Sequence, residues 1–306
     1  KALGISFFTA LLFAIHPVQV ETVCWISASK IVLSTFFYLS ALICYIQYMR
    51  NSKWQYLLAS VVSSILAMGC KEQSVIIVPC LLLFDWMLFK RNMRSLKVYI
   101  EKVYYLIPAI AIFIVTLVAN KNTGEEIIGY TIVDRFIFLC YSSFKYLLIS
   151  AIPFKLSYLY PFPFQVGEKI PMALWIYPFV ILFIGYVIYL NRRKPLLVFC
   201  TLFFILHLLP VLHVIPLPRY VVAADRYLYI PYIAFAIGLS ILSYHLYERQ
   251  RKWILYAGFL YCSYLCVYTA GYAPAWKNSD TLKEHFKEVL KKRETNLSIN
   301  FKHEKQ

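Results

Sequence analysis

Two stretches decide the fold class: VYYLIPAIAIFIVTLVAN at residues 103–120 and WIYPFVILFIGYVIYL at residues 175–190. Each is an almost unbroken apolar run of the length that an α-helix needs to cross roughly 30 Å of hydrocarbon. Backbone groups inside a bilayer have no water to bond with, so a run of this kind has to be helical. Both stretches therefore predict membrane-spanning helices.

Similar apolar blocks fill most of the chain. Of its 306 residues, 61% are hydrophobic and 15% are charged, whereas a soluble domain is nearer half apolar and a quarter charged. We expect an all-α, polytopic membrane helix bundle with about nine spans and one interfacial or re-entrant helix. The spans are predicted at residues 2–15, 31–49, 54–69, 74–89, 103–119, 173–190, 195–214, 229–247 and 253–272.

The basic residues divide the connecting segments into two classes. Segments 50–53, 90–102, 191–194 and 248–252 hold 13 Lys or Arg in 26 residues, and the other connecting segments hold 8 in 68. Cytoplasmic loops of membrane proteins carry the excess of Lys and Arg, so the first class is predicted to be cytoplasmic. The net charge of +16 then reflects topology, and no nucleic-acid partner is expected.

One apolar block breaks the alternation of the loops. Residues 135–153 lie between two non-cytoplasmic segments and carry Lys145 near the centre, where a charge is costly at mid-bilayer. We expect this block to lie on the outer face as an interfacial or re-entrant helix. A tenth full span is the alternative.

The sequence also predicts a division of the chain at residue 276. Residues 1–276 form the transmembrane core, and residues 277–306 form a polar, non-cytoplasmic tail with one amphipathic helix. Ser279 and Asp280 provide an N-cap for this helix. Its apolar face is predicted to consist of Leu282, Phe286, Val289 and Leu290.

The eight cysteines lie mostly in or beside apolar blocks, and none shows metal-ligand spacing with a histidine. They are interpreted as packing residues. His207 and His213 are six residues apart and do not share a helix face, which disfavours a metal pair. No protein metal site is predicted, although a divalent metal bound with substrate is left open.

Three polar clusters lie at the predicted non-cytoplasmic ends of the spans. They are HPVQVETVCWISASK at 16–30, CKEQS at 70–74 and LPRYVVAADRYLYIP at 217–231. Each has a structural interpretation, as a capped loop or as an ion pair that softens a boundary charge. The functional interpretation is a pocket in which arginine guanidinium groups bind phosphate. The candidate residues are His16, Glu21, Lys71, Glu72, Arg219, Asp225, Arg226 and Tyr227.

These clusters, with KEQSVIIVPCLLLFDW and APAWKNSDTLKEHF, resemble the membrane core of the transmembrane and tetratricopeptide repeat-containing O-mannosyltransferases and their bacterial relatives. The resemblance covers nearly the whole chain. It implies a GT-C type glycosyltransferase that moves a mannose-like sugar from a polyprenyl-phosphate donor to a protein hydroxyl or another acceptor at the non-cytoplasmic face. The positions implied to line the donor cavity are His16, Glu21, Lys71, Glu72, Asp225 and Arg226.

The leading hypothesis, a glycosyltransferase of this type, assigns roles to several of the candidate residues. Arg226 and Arg219 would contact phosphate, and Asp225 would orient Arg226. Glu72 and Glu21 would contact or support the sugar. A carboxylate would take the proton of the attacking hydroxyl while cations stabilise the departing phosphate. The catalytic acid of the superfamily lies in the first outer loop, so we expect it upstream of Lys1, and this fragment would then lack it.

Two other function classes remain open at this stage. One is a transporter or flippase for a lipid-linked or anionic substrate, and the other is a non-catalytic scaffold derived from the enzyme fold. The expected partners are the lipid bilayer, a lipid-linked sugar, and a protein or glycan acceptor. Because the outer loops are short and the repeats are lacking, we expect a multi-pass protein of the bacterial cytoplasmic membrane rather than of the endoplasmic reticulum.

Overall fold

The structure is a computed structural model that describes residues 2–120, 129–157, 160–213, 221–284 and 287. Within these ranges the regular elements are all helices, with one isolated β-bridge between Tyr160 and Ala223. The predicted all-α fold class is confirmed. The α-helices are α1 Ala2–Ile15, α2 Val20–Cys24, α3 Ser29–Asn51, α4 Trp54–Cys70, α5 Ile77–Met87, α6 Leu96–Asn120, α7 Ile132–Ala151, α8 Ile176–Leu190, α9 Pro195–Leu208, α10 Pro231–Arg249 and α11 Arg251–Tyr272.

Four helical stretches in the described chain are long and apolar enough to cross a bilayer. A fifth is obtained if α1 and the helical residues Pro17–Cys24, which meet at 54°, are counted as one broken span. Such helices are typical of an integral membrane protein. The prediction of about nine spans is not supported. The four stretches are Ile26–Asn51, Leu96–Ala119, Met172–Leu190 and Arg251–Trp276.

Most of the other predicted spans are helical but short. In the block predicted at 74–89, residues Glu72–Ile76 form a 3₁₀ turn and only the 11 residues of α5 are α-helical. At 1.5 Å per residue, α5 is about 16 Å long, roughly half the hydrocarbon thickness. The block at 195–214 is likewise divided, because α9 ends where a 3₁₀ turn containing Pro210 begins. Hydropathy marked these blocks correctly as apolar but could not show where their helices end.

The block at 135–153 forms a continuous helix, α7. It begins with a capping box in which Thr131 Oγ1 accepts a hydrogen bond from Asp134 N and the Asp134 carboxylate accepts one from Thr131 N. Because α7 is not among the four spanning stretches, the alternative of a tenth full span is not supported. Lys145 lies over the ring of Tyr160, 3.7 Å from its centroid. An interfacial position for α7 remains a prediction.

Helices α3 and α4 form an antiparallel hairpin with small polar residues at its contact. Ser60 Oγ donates to the Ala41 carbonyl at 2.7 Å, and Ser34 Oγ donates to the Ala67 carbonyl at 2.9 Å. Small side chains of this kind let two helices approach closely inside a membrane. These two bonds fix the register of α4 against α3.

Tyrosines of α11 fix the segment that follows α7. Tyr261 OH donates to the Ala151 carbonyl at 2.8 Å, and Leu156 N donates to Tyr268 OH at 3.1 Å. These bonds satisfy backbone groups where the chain leaves a helix, which a buried segment requires. They hold the segment that leads to Tyr160.

The tail begins with a helical turn at residues 279–284. Asn278 Oδ1 accepts hydrogen bonds from Thr281 N at 2.8 Å and from Asp280 N at 3.1 Å. The cap is therefore Asn278, one residue before the predicted Ser279. Leu282 packs against the core, whereas Phe286, Val289 and Leu290 lie outside the described residues. The division at residue 276 stays a prediction.

Candidate functional site

A tight turn after α1 positions the first polar cluster. His16 caps the 3₁₀ turn Pro17–Gln19, and its Nδ1 accepts a hydrogen bond from Val18 N at 3.3 Å. Proline at the first position of the turn has no N–H to leave unsatisfied. The His16 ring stacks on Tyr232, with 4.2 Å between centroids. The motif HPVQVET thus bends the chain sharply and buries its polar residues.

The turn brings Glu21 against a second turn, Asp225–Leu228. Arg226 Nη1 donates to Glu21 Oε1 at 2.5 Å, and Arg226 N donates to Glu21 Oε2 at 2.8 Å. The Glu21 side chain is 0% exposed, whereas that of Arg226 is 19% exposed. Charge-assisted bonds of this length are about twice as strong as neutral ones. Glu21 therefore fixes Arg226 in place, while the Arg226 side chain stays partly exposed.

Two aromatic rings flank the guanidinium. Arg226 Cζ lies 5.1 Å from the centroid of the Tyr227 ring and 5.6 Å from that of the Trp25 ring. Trp25 in turn packs against Trp276 at 5.9 Å. Although burial opposes the charge on Arg226, the Glu21 carboxylate raises its pKa above the ordinary value. Arg226 is a fixed and permanent cation with restricted freedom to move.

Asp225 is fully buried and has a different partner from the one predicted. Tyr160 OH donates to Asp225 Oδ1 at 2.8 Å, while Oδ2 forms no hydrogen bond to the described residues. Burial and then the charge of Glu21 raise the pKa of Asp225 well above its usual value, and Tyr160, Lys145 and Arg226 lower it only in part. Arg226 is oriented by Glu21 rather than by Asp225.

Lys71 and Glu72 form a pair of their own where α4 ends. Lys71 Nζ contacts Glu72 Oε1 at 2.6 Å, and the Glu72 side chain is 45% exposed. Partial burial raises the pKa of Glu72, but the Lys71 ammonium outweighs it and the net shift is downward. Among the described residues, no hydrogen bond or ion pair joins Lys71 or Glu72 to the Glu21–Arg226 pair.

The structure brings together five of the predicted residues, His16, Glu21, Asp225, Arg226 and Tyr227. The first two lie on the turn after α1, which packs against the turn that carries the other three. Arg219 lies outside the described residues, so its predicted phosphate contact is not addressed. Within the described chain, no three His, Cys, Asp or Glu side chains converge in a way that could hold a metal ion.

A second charged cluster was missed at the basic end of the bundle. Lys102 Nζ contacts Asp85 Oδ2 at 2.6 Å, and Arg91 Nη1 contacts Glu101 Oε2 at 2.5 Å and Asp85 Oδ2 at 3.4 Å. Tyr45 OH donates to Asp85 Oδ1 at 2.6 Å. The sequence interpretation placed Glu101 and Lys102 in a solvated cytoplasmic loop. This was wrong, because α6 begins at Leu96 and buries both.

The geometry around Arg226 suits an anion that can reach one edge of a guanidinium. Glu21 bonds one side of the group, the rings of Trp25 and Tyr227 flank it, and the Arg226 side chain keeps 19% exposure, while a guanidinium carries five N–H donors in a planar fork that matches phosphate oxygens. Tyr160 was not predicted, and only its aromatic neighbours in the sequence could have drawn attention to it. Comparisons of the chain with protein-family profiles, with curated proteins and with solved structures each find no match.

Proposed function

We propose that this protein is a membrane glycosyltransferase that moves a mannose-like sugar from a polyprenyl-phosphate donor to a hydroxyl group of a protein or another acceptor. One observation carries the proposal: Arg226 is held by a fully buried Glu21 and keeps 19% of its side chain exposed. A buried carboxylate behind a partly exposed guanidinium is a costly arrangement. It is useful where an anion has to be recognised from the open side.

Arg226 would bind the donor phosphate and stabilise it as it departs. In the reaction, the acceptor oxygen forms a bond to the anomeric carbon, and the bond from that carbon to the phosphate oxygen breaks. Negative charge develops on the departing polyprenyl phosphate, and a preorganised cation stabilises it most in the transition state. The proton of the acceptor would pass to a carboxylate acting as general base.

An apolar groove supports a donor with a hydrocarbon tail. It lies between α5 and α9 and has a volume of about 450 Å³. Its lining is almost wholly apolar, so a bound hydrocarbon chain would leave no polar group unsatisfied. The lining includes Pro79, Leu82, Trp86, Leu206 and Leu209.

The finer topology belongs to the same proposal. We infer a GT-C type bundle in which the basic turns face the cytoplasm and Glu21 and Arg226 face the opposite side. The short helices α4, α5 and α9 would complete the bundle as partial or tilted crossings. The bacterial cytoplasmic membrane is the proposed location, because the connecting segments on the Arg226 side are short.

The test is sugar transfer by the full-length protein in proteoliposomes, with radiolabelled polyprenyl-phosphate mannose as donor. Arg226→Lys keeps the charge but loses the planar fork, so we expect transfer to fall by at least 10-fold, and by more in Arg226→Ala. The matched control is Arg192→Ala, because Arg192 stacks on Tyr189 at 4.0 Å at the basic end.

Full transfer by Arg226→Ala would remove the phosphate role. Movement of the labelled lipid across the bilayer without a new glycosidic bond would support the transporter class instead. Wild-type protein with neither activity would support the non-catalytic scaffold.

A further inference from the structure

Two side chains beside the Glu21–Arg226 pair are buried without hydrogen-bond partners. Gln19 is 5% exposed and Thr22 is 1% exposed. Neither Oε1 nor Nε2 of Gln19, nor Oγ1 of Thr22, bonds to any described residue. Burying such groups unsatisfied costs free energy, and nearly all buried polar groups in proteins have a partner. The sequence interpretation assigned no role to either residue.

The two side chains share one face of the turn that carries Glu21. Gln19 ends the 3₁₀ turn after His16, and Thr22 follows it by three residues in α2. Gln19 is the N-cap of α2 with helical backbone angles, and side chains three residues apart in a helix share a face. The 3₁₀ turn and α2 both pack against Asp225–Leu228, the element that carries Arg226. The unsatisfied groups are therefore carried by segments in direct contact with the element that provides the proposed phosphate contact.

The types of polar group indicate the ligand. An amide offers donors and an acceptor together, and a threonine hydroxyl does the same on a smaller scale. Sugar hydroxyls are also both donors and acceptors, whereas a phosphate only accepts. Gln19 and Thr22 thus complement the sugar, while Arg226 complements the phosphate beside it.

We propose that Gln19 and Thr22 bind hydroxyl groups of the donor sugar and so distinguish a sugar-bearing polyprenyl phosphate from the bare lipid phosphate. This inference rests on the proposed function, since it places the sugar of the same donor. Bound internal water is the competing explanation for the same unsatisfied atoms. If these atoms bind only internal water, replacing them should not change the preference of the protein for one donor lipid over the other.

The experiment compares two lipids rather than two activities. Full-length protein in nanodiscs is titrated with polyprenyl phosphate and with polyprenyl-phosphate mannose, and the ratio of the two dissociation constants is measured. The variants are Gln19→Leu and Thr22→Val, which remove the hydrogen-bonding groups at similar volume. Gln55→Leu, at an exposed position near the start of α4, is the control.

We expect wild type and Gln55→Leu to prefer the mannose-bearing lipid. Gln19→Leu and Thr22→Val should each lower this preference by about 10-fold, the effect of one or two hydrogen bonds, and should bind the bare lipid as wild type does. Having two variants keeps the test decisive if one of them fails to fold.

Three results would overturn the inference. Unchanged preference in both folded variants would mean that the buried groups serve water or the fold alone, with the proposed function left intact. Equal loss of both lipids would make the two residues structural. Binding of neither lipid by the wild type, or binding that Arg226→Ala does not weaken, would remove the proposed function together with this inference.

Discussion

The described part of the chain contains two buried charge clusters that lie about 20 Å apart along α3. The first is the Glu21–Arg226 cluster, comprising Glu21, Tyr160, Asp225 and Arg226. The second is the Asp85–Lys102 cluster, comprising Tyr45, Asp85, Arg91, Glu101 and Lys102. Ile31, at the start of α3, packs against Tyr229 beside the first cluster, whereas Tyr45, fourteen residues later, bonds to the second.

The Asp85–Lys102 cluster is closed. Its two carboxylates face two cations, and each of the four carboxylate oxygens has a partner: Tyr48 and Arg91 bond Glu101 Oε1, and Arg91 also bonds Oε2. Tyr45 bonds Asp85 Oδ1, and Lys102 contacts Asp85 Oδ2. A neutral and fully satisfied network of this kind rigidifies the elements that it joins.

The Glu21–Arg226 cluster is open, in the sense that not every buried carboxylate oxygen has a partner among the described residues. Of its two buried carboxylates, Glu21 bonds Arg226 and Asp225 bonds Tyr160, while Asp225 Oδ2 has no hydrogen-bond partner among the described residues. Gln19 and Thr22 beside it are also unsatisfied. Unsatisfied buried groups call for an explanation, such as bound water, an ion or a functional role. We therefore propose a structural role for the cluster at one end of α3 and a binding role for the cluster at the other.

The largest effect is expected at the closed cluster. Asp85→Ala leaves Lys102 buried without its closest partner, and breaking a buried pair in this way costs about 3–5 kcal/mol. The free energy of unfolding, measured by SDS titration in micelles, should fall by this amount, while transfer per folded molecule should be retained. Glu248→Ala, in an exposed pair at the same end, is the control. If Asp85→Ala had normal stability but no transfer activity, the structural role of the Asp85–Lys102 cluster would be contradicted.

A smaller loss of stability and a larger loss of function are expected at the open cluster. Glu21→Gln keeps the volume and one acceptor but removes the charge that holds Arg226. A hydrogen bond between charged groups contributes about 1.5–3 kcal/mol, so the free energy of unfolding should fall by that amount. Donor binding should weaken because the guanidinium is no longer fixed. If Glu21→Gln bound donor normally, the Glu21–Arg226 pair would have only a structural role, like the Asp85–Lys102 cluster.

For the Glu21–Arg226 cluster, the sequence predicted which charged residues matter but not how they pair. Glu21, Asp225 and Arg226 were recognised as candidates because they interrupt apolar blocks within short motifs. Their pairing was not, since Glu21 and Arg226 are 205 residues apart and two adjacent residues, Asp225 and Arg226, offered the simpler pair. Only the packing of the two turns decides which carboxylate meets the arginine.

The closed cluster escaped prediction for a different reason. Glu101 and Lys102 follow a basic segment, and local composition made them look like part of the loop. Their burial depends on α6 beginning at Leu96, several residues before the apolar run becomes continuous. Burial by neighbouring helices is a tertiary property that hydropathy does not contain.

A pH series sharpens the comparison through Asp225, which faces Glu21, Lys145, Tyr160 and Arg226. Because its pKa is raised in the fold, its contribution to stability is fully present below the unfolded pKa of about 4 and is lost as pH rises through the folded pKa. Wild type should therefore lose stability between pH 4 and pH 8 relative to Asp225→Asn, with a slope of at most about 1.4 kcal/mol per pH unit. Thermal unfolding in micelles measures this difference, and parallel curves would contradict it.

The smallest effect is expected from Glu72→Gln, which decides whether a third pair belongs to the open cluster. Glu72 is half exposed beside Lys71, and exposed pairs contribute roughly 0–1 kcal/mol, so the free energy of unfolding should change by less than about 1 kcal/mol. Donor binding is the informative measurement, with Lys71→Gln as the matched variant. Weaker binding in both variants would extend the binding surface from Arg226 to the start of α5. Unchanged binding would confine it to the two turns that meet at Glu21, because no hydrogen bond or ion pair in the described chain connects Lys71 to them.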